Sequence, residues 1–162
     1  MKPHTISVLV ENRAGVLSRV AGMFSRRGFN IESLAVGTCE EPDMSRITIV
    51  VNGNDSVVEQ VMKQTNKLID VIKVSDLTER ESVERELALI KVAAEPGSSR
   101  AEILQIADIF RAQVVDVGSK SLVLQVAGDT EKIDALEKLL RQYGIKELVR
   151  TGKIAILRGA KT

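Results

Sequence analysis

The sequence is poor in the residue types from which most catalytic and metal sites are built. Its 162 residues include one Cys, one His, no Trp, one Tyr and three Phe. A metal site made of Cys and His clusters is therefore excluded, and so is an internal disulfide. A Ser-His-Asp or Cys-His arrangement would have to use His4. Sites that stack nucleic-acid bases on aromatic rings, or that enclose a cation in an aromatic cage, are also disfavoured because the chain has so few aromatic residues.

The net charge and the length of the apolar runs exclude further classes of function. The 23 Lys and Arg residues against 22 Asp and Glu residues give a formal net charge of +1, so the basic surface that neutralises many phosphates is missing. No apolar run reaches the roughly 18 residues of a membrane helix. We therefore expect a soluble, cytoplasmic protein with no nucleic-acid or membrane partner. Cys39, in a predicted loop, is interpreted as an inert surface thiol.

Hydrophobic periodicity predicts the same order of elements twice: strand, helix, strand, strand, helix, strand. In the first half the strands are predicted over 4–11, 30–38, 45–52 and 71–77, and in the second half over 87–93, 112–117, 122–126 and 146–151. We predict an α+β fold of two tandem ferredoxin-like βαββαβ domains, an N-terminal domain over 1–79 and a C-terminal domain over 80–162. The stretch 153–157 either extends the second sheet or pairs elsewhere.

The predicted helix starts differ between the two halves. Two Ser-x-x-Glu capping boxes begin at Ser56 and Ser99, and Asp129 is expected to cap the fourth helix. The first helix has no such residue at its start and has Gly15 there instead. An uncapped helix start exposes N–H groups and a partial positive charge, which favours an anion such as a carboxylate.

The loop before the first helix is therefore a candidate for binding an α-amino acid. Gly15 would let a carboxylate approach the backbone without meeting a Cβ atom, and the Asn12 side chain can both donate and accept. The alternative is that Asn12 caps its own helix and Gly15 serves the turn alone. On the pattern alone, Asn30 after Gly28 is interpreted as an ordinary turn residue.

Three stretches together resemble the ACT domain of the small, regulatory subunit of acetohydroxyacid synthase, also called acetolactate synthase. They are ENRAGVLSRV from Glu11, FSRRGFNIESL from Phe24 and SRITI from Ser45. The general ACT loop pattern, N-x-x-G-x-L/V, is weak, but RGFNIESL is characteristic of this subfamily. The resemblance continues through QTNKLIDV from Gln64 and VERE from Val83, and it covers essentially the whole chain.

The resemblance implies a non-catalytic subunit in the biosynthesis of branched-chain amino acids. In this family the small subunit binds a large catalytic subunit, raises its activity and transmits feedback inhibition by valine and sometimes by the other branched-chain amino acids. The chain itself would hold no cofactor and no metal. Thiamine diphosphate, magnesium and often FAD would belong to the catalytic partner. The ACT domains of two copies would pair as a homodimer.

The resemblance also implies an effector site shared between the two copies. The first-helix loop of one copy would supply Asn12, Ala14, Gly15, Val16 and Leu17, and the second-strand segment of the other would supply Asn30 and Ile31. Backbone N–H groups near Gly15 would meet the ligand carboxylate, and Leu17 and Ile31 would contact its branched side chain. The equivalent segment of the second half is expected not to bind this ligand, because it has its own cap and because Pro96 lacks an N–H group.

Other functions share parts of these patterns. A free-standing ACT-type amino-acid sensor acting on a transcription regulator would use the same loop, but RGFNIESL and the lack of a helix-turn-helix favour the subunit. An RNA-binding module of the same strand order would need aromatic residues on its strands, whereas Phe24, Phe29, Phe110 and Tyr143 are predicted on helices or at a turn. An enzyme would find no paired base and nucleophile here.

Overall fold

Two antiparallel sheets, each with two helices, account for most of the chain. The computed structural model describes residues 2–160, and in it the predicted order of elements occurs twice. This confirms the predicted α+β fold of two ferredoxin-like units. By its contacts the chain divides into a first unit, made of the residues up to Val83 and those from Lys153 onward, and a second unit, Glu84–Gly152. This division falls four residues after the expected boundary at 79, and it groups the final stretch with the first unit.

The first unit follows the chain as six consecutive elements. They are β1 (Lys2–Glu11), α1 (Val16–Arg26), β2 (Ile31–Thr38), β3 (Met44–Gly53), α2 (Asp55–Asn66) and β4 (Val71–Asp76). The sheet order is β2-β3-β1-β4, and every neighbouring pair is antiparallel. The split βαββαβ order therefore places the loop before α1 at one end of the central strand β1.

Alternating apolar residues of the two central strands build the core of this unit. Ile6 of β1 lies opposite Ile49 of β3, and both are fully buried. Helix α1 adds Val16, Val20 and Phe24, which recur every four residues and so lie on one face of the helix. This burial ties the start of α1 to the sheet, because Val16 is the first residue of the helix and is only 3% exposed.

The second unit repeats this arrangement. Its elements are β5 (Ser82–Ala93), α3 (Ser98–Ile109), β6 (Gln113–Val117), β7 (Ser121–Gly128), α4 (Thr130–Leu140) and β8 (Ile145–Arg150), with a 3₁₀ turn at Arg141–Tyr143. The sheet order is β6-β7-β5-β8. Strand β5 begins at Ser82, five residues before the predicted start at 87, and is therefore longer than predicted.

A short final strand, β9 (Ile154–Leu157), is the fifth strand of the second sheet, so of the two alternatives left open for this stretch the extension of that sheet is confirmed. It pairs with β5, whose first residues belong to the first unit. Two backbone contacts hold its ends: the Lys153 N–H donates to the Ser33 hydroxyl, and the Arg158 N–H donates to the Glu81 carbonyl, both at 3.0 Å. By its contacts the stretch is grouped with the first unit.

Two of the predicted helix caps are wrong. In α2 the capping residue is Asn54, whose Oδ1 accepts from the Val57 N–H at 2.9 Å, and Ser56 lies inside the helix. Asn and Ser are about equally favoured as capping residues, and here Asn54, the earlier of the two in the sequence, forms the cap. Helix α3 starts after Gly97 with no side-chain cap, so the box at Ser99 is wrong as well. The cap at Asp129 is confirmed, since its side chain accepts from the Lys132 N–H at 2.9 Å.

Candidate functional site

Helix α1 starts at a glycine in the left-handed region. Gly15 has φ +85° and ψ −10°, and no side chain caps the helix, which confirms the uncapped start. The alternative in which Asn12 caps its own helix is therefore wrong. The Arg19 N–H donates to the Gly15 carbonyl at 3.0 Å as the first turn closes. Since a positive φ strains any residue with a Cβ atom, the turn itself requires glycine here.

The loop before α1 is open to solvent, and its exposed residues are Asn12, Arg13, Ala14 and Gly15. The backbone of Asn12 is anchored, because its N–H donates to the Asp43 carbonyl at 2.8 Å. Leu17 is 42% exposed and presents apolar surface next to this loop.

The structure does not bring Asn30 and Ile31 to the same end of α1 as this loop. Asn30 is exposed, and Ile31 opens β2, where it lies opposite Val51 and packs on the first core. The 11 residues of α1 separate the two groups. At about 1.5 Å per residue, the helix alone spans roughly 16 Å. One chain therefore holds the predicted site residues as two separate groups.

An ion pair beside Gly15 was not predicted from the sequence. Arg19 donates to Oδ2 of Asp70 through Nε at 2.9 Å and through Nη2 at 2.6 Å. The Asp70 side chain is only 8% exposed, whereas that of Arg19 is 51% exposed. The Asp70 carbonyl also accepts from the Glu11 N–H at 2.9 Å, at the end of β1. One residue thus holds both flanks of the loop. The clue in the sequence is the i, i+4 spacing of Gly15 and Arg19 in the first turn.

The Arg19 guanidinium also covers one side of Gly15. A Cβ atom built on Gly15 would lie 3.0 Å from Arg19 Nη1. The space that we expected a ligand carboxylate to use is therefore next to a cationic nitrogen as well as to backbone N–H groups. Both features favour an anion.

The equivalent loop of the second unit is arranged differently. Gly97 also starts its helix with a positive φ, +124°, and without a side-chain cap. There, however, Arg100 turns into the loop and donates through Nη2 to the carbonyls of Ala94 and Gly118, both at 2.7 Å. The expected difference between the halves therefore cannot rest on a cap. The two loops differ instead in their arginine, because the guanidinium of the second loop donates to backbone carbonyls.

A cleft in the first unit lies away from this loop. It has a volume of about 450 Å³ and is lined by Ser7, Arg46, Lys73 and Ser75, with residues of β9 along one side. Arg46 donates to the Glu40 carboxylate at 3.0 Å. A backbone hydrogen bond and the nearby Arg46 charge lower the pKa of Glu40. Arg46 and Glu40 thus form an ion pair in the lining of this cleft.

Two further findings concern residues 2–160 as a whole. Among them, no group of three or more His, Cys, Asp or Glu side chains is arranged to hold a metal ion. No helix in that part of the chain is long and apolar enough to cross a membrane. His4 is 3% exposed, and its Nε2 lies 3.2 Å from the Gly53 carbonyl, which gives it a place in the packing of the first unit.

Fold and loop together define a protein with an ACT-type unit followed by a second unit of the same order. A family model described as an AHAS small subunit-like ACT domain matches residues 6–73, and one described as the small subunit of acetolactate synthase matches residues 85–159. The chain is 63% identical to the probable acetolactate synthase small subunit of Archaeoglobus fulgidus, over 98% of both chains. It is 52% identical to the acetolactate synthase small subunit of Mycolicibacterium smegmatis, over 98% of this chain and 92% of that protein.

Comparison with a solved structure indicates the same family. The crystal structure of the acetolactate synthase small subunit from Thermotoga maritima superimposes with a TM-score of 0.89 at 40% identity, covering 99% of this chain and 100% of that one. The chain belongs to the family of acetolactate synthase small subunits.

Proposed function

We propose that this protein is the regulatory subunit of an acetolactate synthase, in which it binds the catalytic subunit, raises its activity and transmits feedback inhibition by valine. The observation that carries the proposal is the identity of 63% with a probable small subunit over 98% of both chains. Thiamine diphosphate, magnesium and FAD would act in the catalytic subunit.

The effector is proposed to bind between the ACT domains of two copies of this chain. Asn12, Gly15 and the residues up to Leu17 would contribute the exposed loop, whose uncapped helix start attracts a carboxylate. Asn30 and Ile31 of the other copy would face it. The length of α1 between the two groups supports a shared site, because a single valine cannot reach both groups within one chain.

A shared site suits feedback inhibition for a thermodynamic reason. An effector changes an equilibrium only by its difference in affinity for the two states, typically about 1–3 kcal/mol. A ligand that contacts two copies favours the arrangement in which both groups face it. Valine binding would thereby stabilise one arrangement of the two ACT domains, and the catalytic subunit would respond to that arrangement.

The test is reconstitution with the catalytic subunit from the same genome. The two chains are co-expressed, purified through a tag on the large subunit, and assayed for acetolactate formation with and without valine. We expect co-purification, a higher rate than the large subunit alone, and inhibition by valine. Absence of the small subunit from the purified complex would contradict the proposal. In that case an amino-acid sensor acting on another protein becomes the better hypothesis.

A further inference from the structure

The side chain of Arg19 has a donor that its ion pair leaves available. Nε and Nη2 both donate to Asp70 Oδ2, which fixes the plane of the guanidinium. Nη1 is not part of this pair, and it has no hydrogen-bond acceptor among residues 2–160. It lies 3.0 Å from the position of a Cβ atom on Gly15. A preformed cationic donor therefore faces the loop proposed to hold the effector carboxylate.

Burial of Asp70 makes this orientation persistent. The Asp70 carboxylate is 8% exposed and accepts two charge-assisted hydrogen bonds from the same guanidinium. Such bonds are short and about twice as strong as those between neutral groups. The backbone of Asp70 is held in turn by the Glu11 N–H at 2.9 Å. The guanidinium is thus held by a residue whose backbone is itself fixed to β1.

The second unit offers an internal comparison. Arg100 lies near the start of α3, three residues after Gly97, whereas Arg19 lies four residues after Gly15 in α1. Its Nε and Nη2 donate to the Ala94 carbonyl at 3.1 and 2.7 Å, and Nη2 also donates to Gly118. Arg100 has no carboxylate partner among the hydrogen bonds and ion pairs of residues 2–160 and closes its own loop instead. Within residues 2–160, a glycine-started helix occurs together with an arginine held by a buried carboxylate in the first unit and not in the second.

We propose that Arg19 binds the carboxylate of the amino-acid effector through Nη1 and that Asp70 is the positioning residue that holds the guanidinium for this task. The inference rests on the proposed function, since it assigns the group that recognises the effector. It predicts selection for a carboxylate, because a neutral amide in its place loses the charge-assisted hydrogen bond. It also explains why Asp70 is buried at this point of the first unit.

Calorimetric titration of the full-length chain with valine and with valinamide tests this assignment. Valinamide keeps the side chain and the amino group of valine but has a neutral amide instead of the carboxylate. We expect wild type to prefer valine by about ten- to hundredfold, the range for a hydrogen bond to a charged group. In Arg19→Gln this preference should largely vanish, and valine affinity should fall by the same factor.

The ratio of the two affinities separates recognition from a merely structural role. If Arg19 only stabilised the loop, its loss would weaken valine and valinamide binding together, and the ratio would stay at the wild-type value. Arg13→Gln is the matched control, because Arg13 lies in the same loop, has a 68% exposed side chain and pairs with Glu11. It should leave the ratio unchanged.

Asp70→Asn tests the positioning role. The amide retains a hydrogen-bond acceptor but not the charge, so the guanidinium should be less well fixed and the valine preference should fall part of the way. In the Arg19→Gln background the same change should have no further effect on the ratio, since the two residues act as one unit. If Asp70→Asn does not fold, Arg19→Gln with its control carries the test alone.

The outcomes separate the two proposals. If wild type binds valine in preference to valinamide and Arg19→Gln keeps that preference, the role of Arg19 is refuted while the effector site stands. If wild type binds none of valine, leucine and isoleucine, alone or in the complex with the catalytic subunit, the effector function fails, and the assignment of Arg19 falls with it.

Discussion

Asn54 Oδ1 accepts a hydrogen bond from the backbone N–H of Val57 at 2.9 Å, and this contact begins α2. The Ser56 hydroxyl donates to the same oxygen at 2.9 Å and therefore supports the cap without forming it. Asn54→Ala should lower the free energy of unfolding by about 1 kcal/mol, the usual cost of losing a cap. Urea denaturation followed by circular dichroism measures this change.

Ser56→Ala is the matched control for the cap. Ser56 is exposed and lies inside the helix, where alanine is the better helix former. The substitution should change stability much less than Asn54→Ala does. Equal losses in the two variants would show that the two side chains cap α2 together.

The hydroxyl of Tyr143 donates to the Glu102 carboxylate at 2.8 Å. This hydrogen bond, with some desolvation and the charge of Glu102, raises the pKa of Tyr143 above its ordinary value of 10.0. Because the chain has one Tyr and no Trp, absorbance near 295 nm reports this group alone. We expect a titration midpoint above pH 10 in the folded protein and a return toward it in Glu102→Gln.

The sign of the linked stability follows from the direction of this shift. A raised pKa in the folded state means that the folded protein retains the Tyr143 proton at a pH where the unfolded chain has lost it. The contribution of the contact is complete below about pH 10 and disappears as the pH rises through the folded pKa. A titration midpoint that does not move in Glu102→Gln would show that the contact is not formed in solution.

Gly15→Glu should abolish inhibition by valine while the subunit still binds its catalytic partner. The Cβ atom of the added side chain would lie 3.0 Å from Arg19 Nη1, and its carboxylate would compete for the place proposed for the effector carboxylate. The positive φ of +85° should add a loss of stability of about 1–2 kcal/mol. Valine inhibition of the reconstituted complex is the measurement, with thermal unfolding to record the change in stability.

Gly22→Glu is the control, because it adds the same charged side chain to the same helix at another position. Gly22 lies further along α1, and a Cβ atom there would meet nothing within 4 Å. It should leave inhibition by valine intact. Unchanged valine affinity in Gly15→Glu would refute the assignment of the loop to the effector.

The fold was predictable because its determinants are local in the sequence. In β1, apolar residues occupy every second position, at Ile6, Val8 and Val10, and in α1 they occupy every fourth, at Val16, Val20 and Phe24. These spacings match the periods of a strand and a helix, so the sequence alone identifies the side chains that are buried. The caps of α2 and α3 were predicted wrongly, because Asn54 competes with Ser56 and because a helix can start at a glycine with no side-chain help.

The candidate site was predictable only in part. The uncapped start at Gly15 is a local pattern and was found. The partner of Arg19 is 51 residues away in the sequence, on the turn before β4, and no period or motif connects the two. The same holds for β9, since the residues that flank it contact Ser33 and Glu81, which are distant in the sequence. Tertiary neighbours of this kind become visible only in the folded chain.

The final strand should be a stabilising part of the first unit, and its two faces make the test specific. Ala155 is 5% exposed, whereas Ile156, the next residue, is 65% exposed, as expected for side chains that alternate across a strand. Ala155→Asp would bury a carboxylate without a partner and should destabilise the protein by several kcal/mol. Ile156→Asp places the same side chain in solvent and should change stability by less than about 0.5 kcal/mol. Thermal unfolding of the two variants side by side measures the difference, and equal melting temperatures would contradict the burial of the Ala155 side chain on one face of β9.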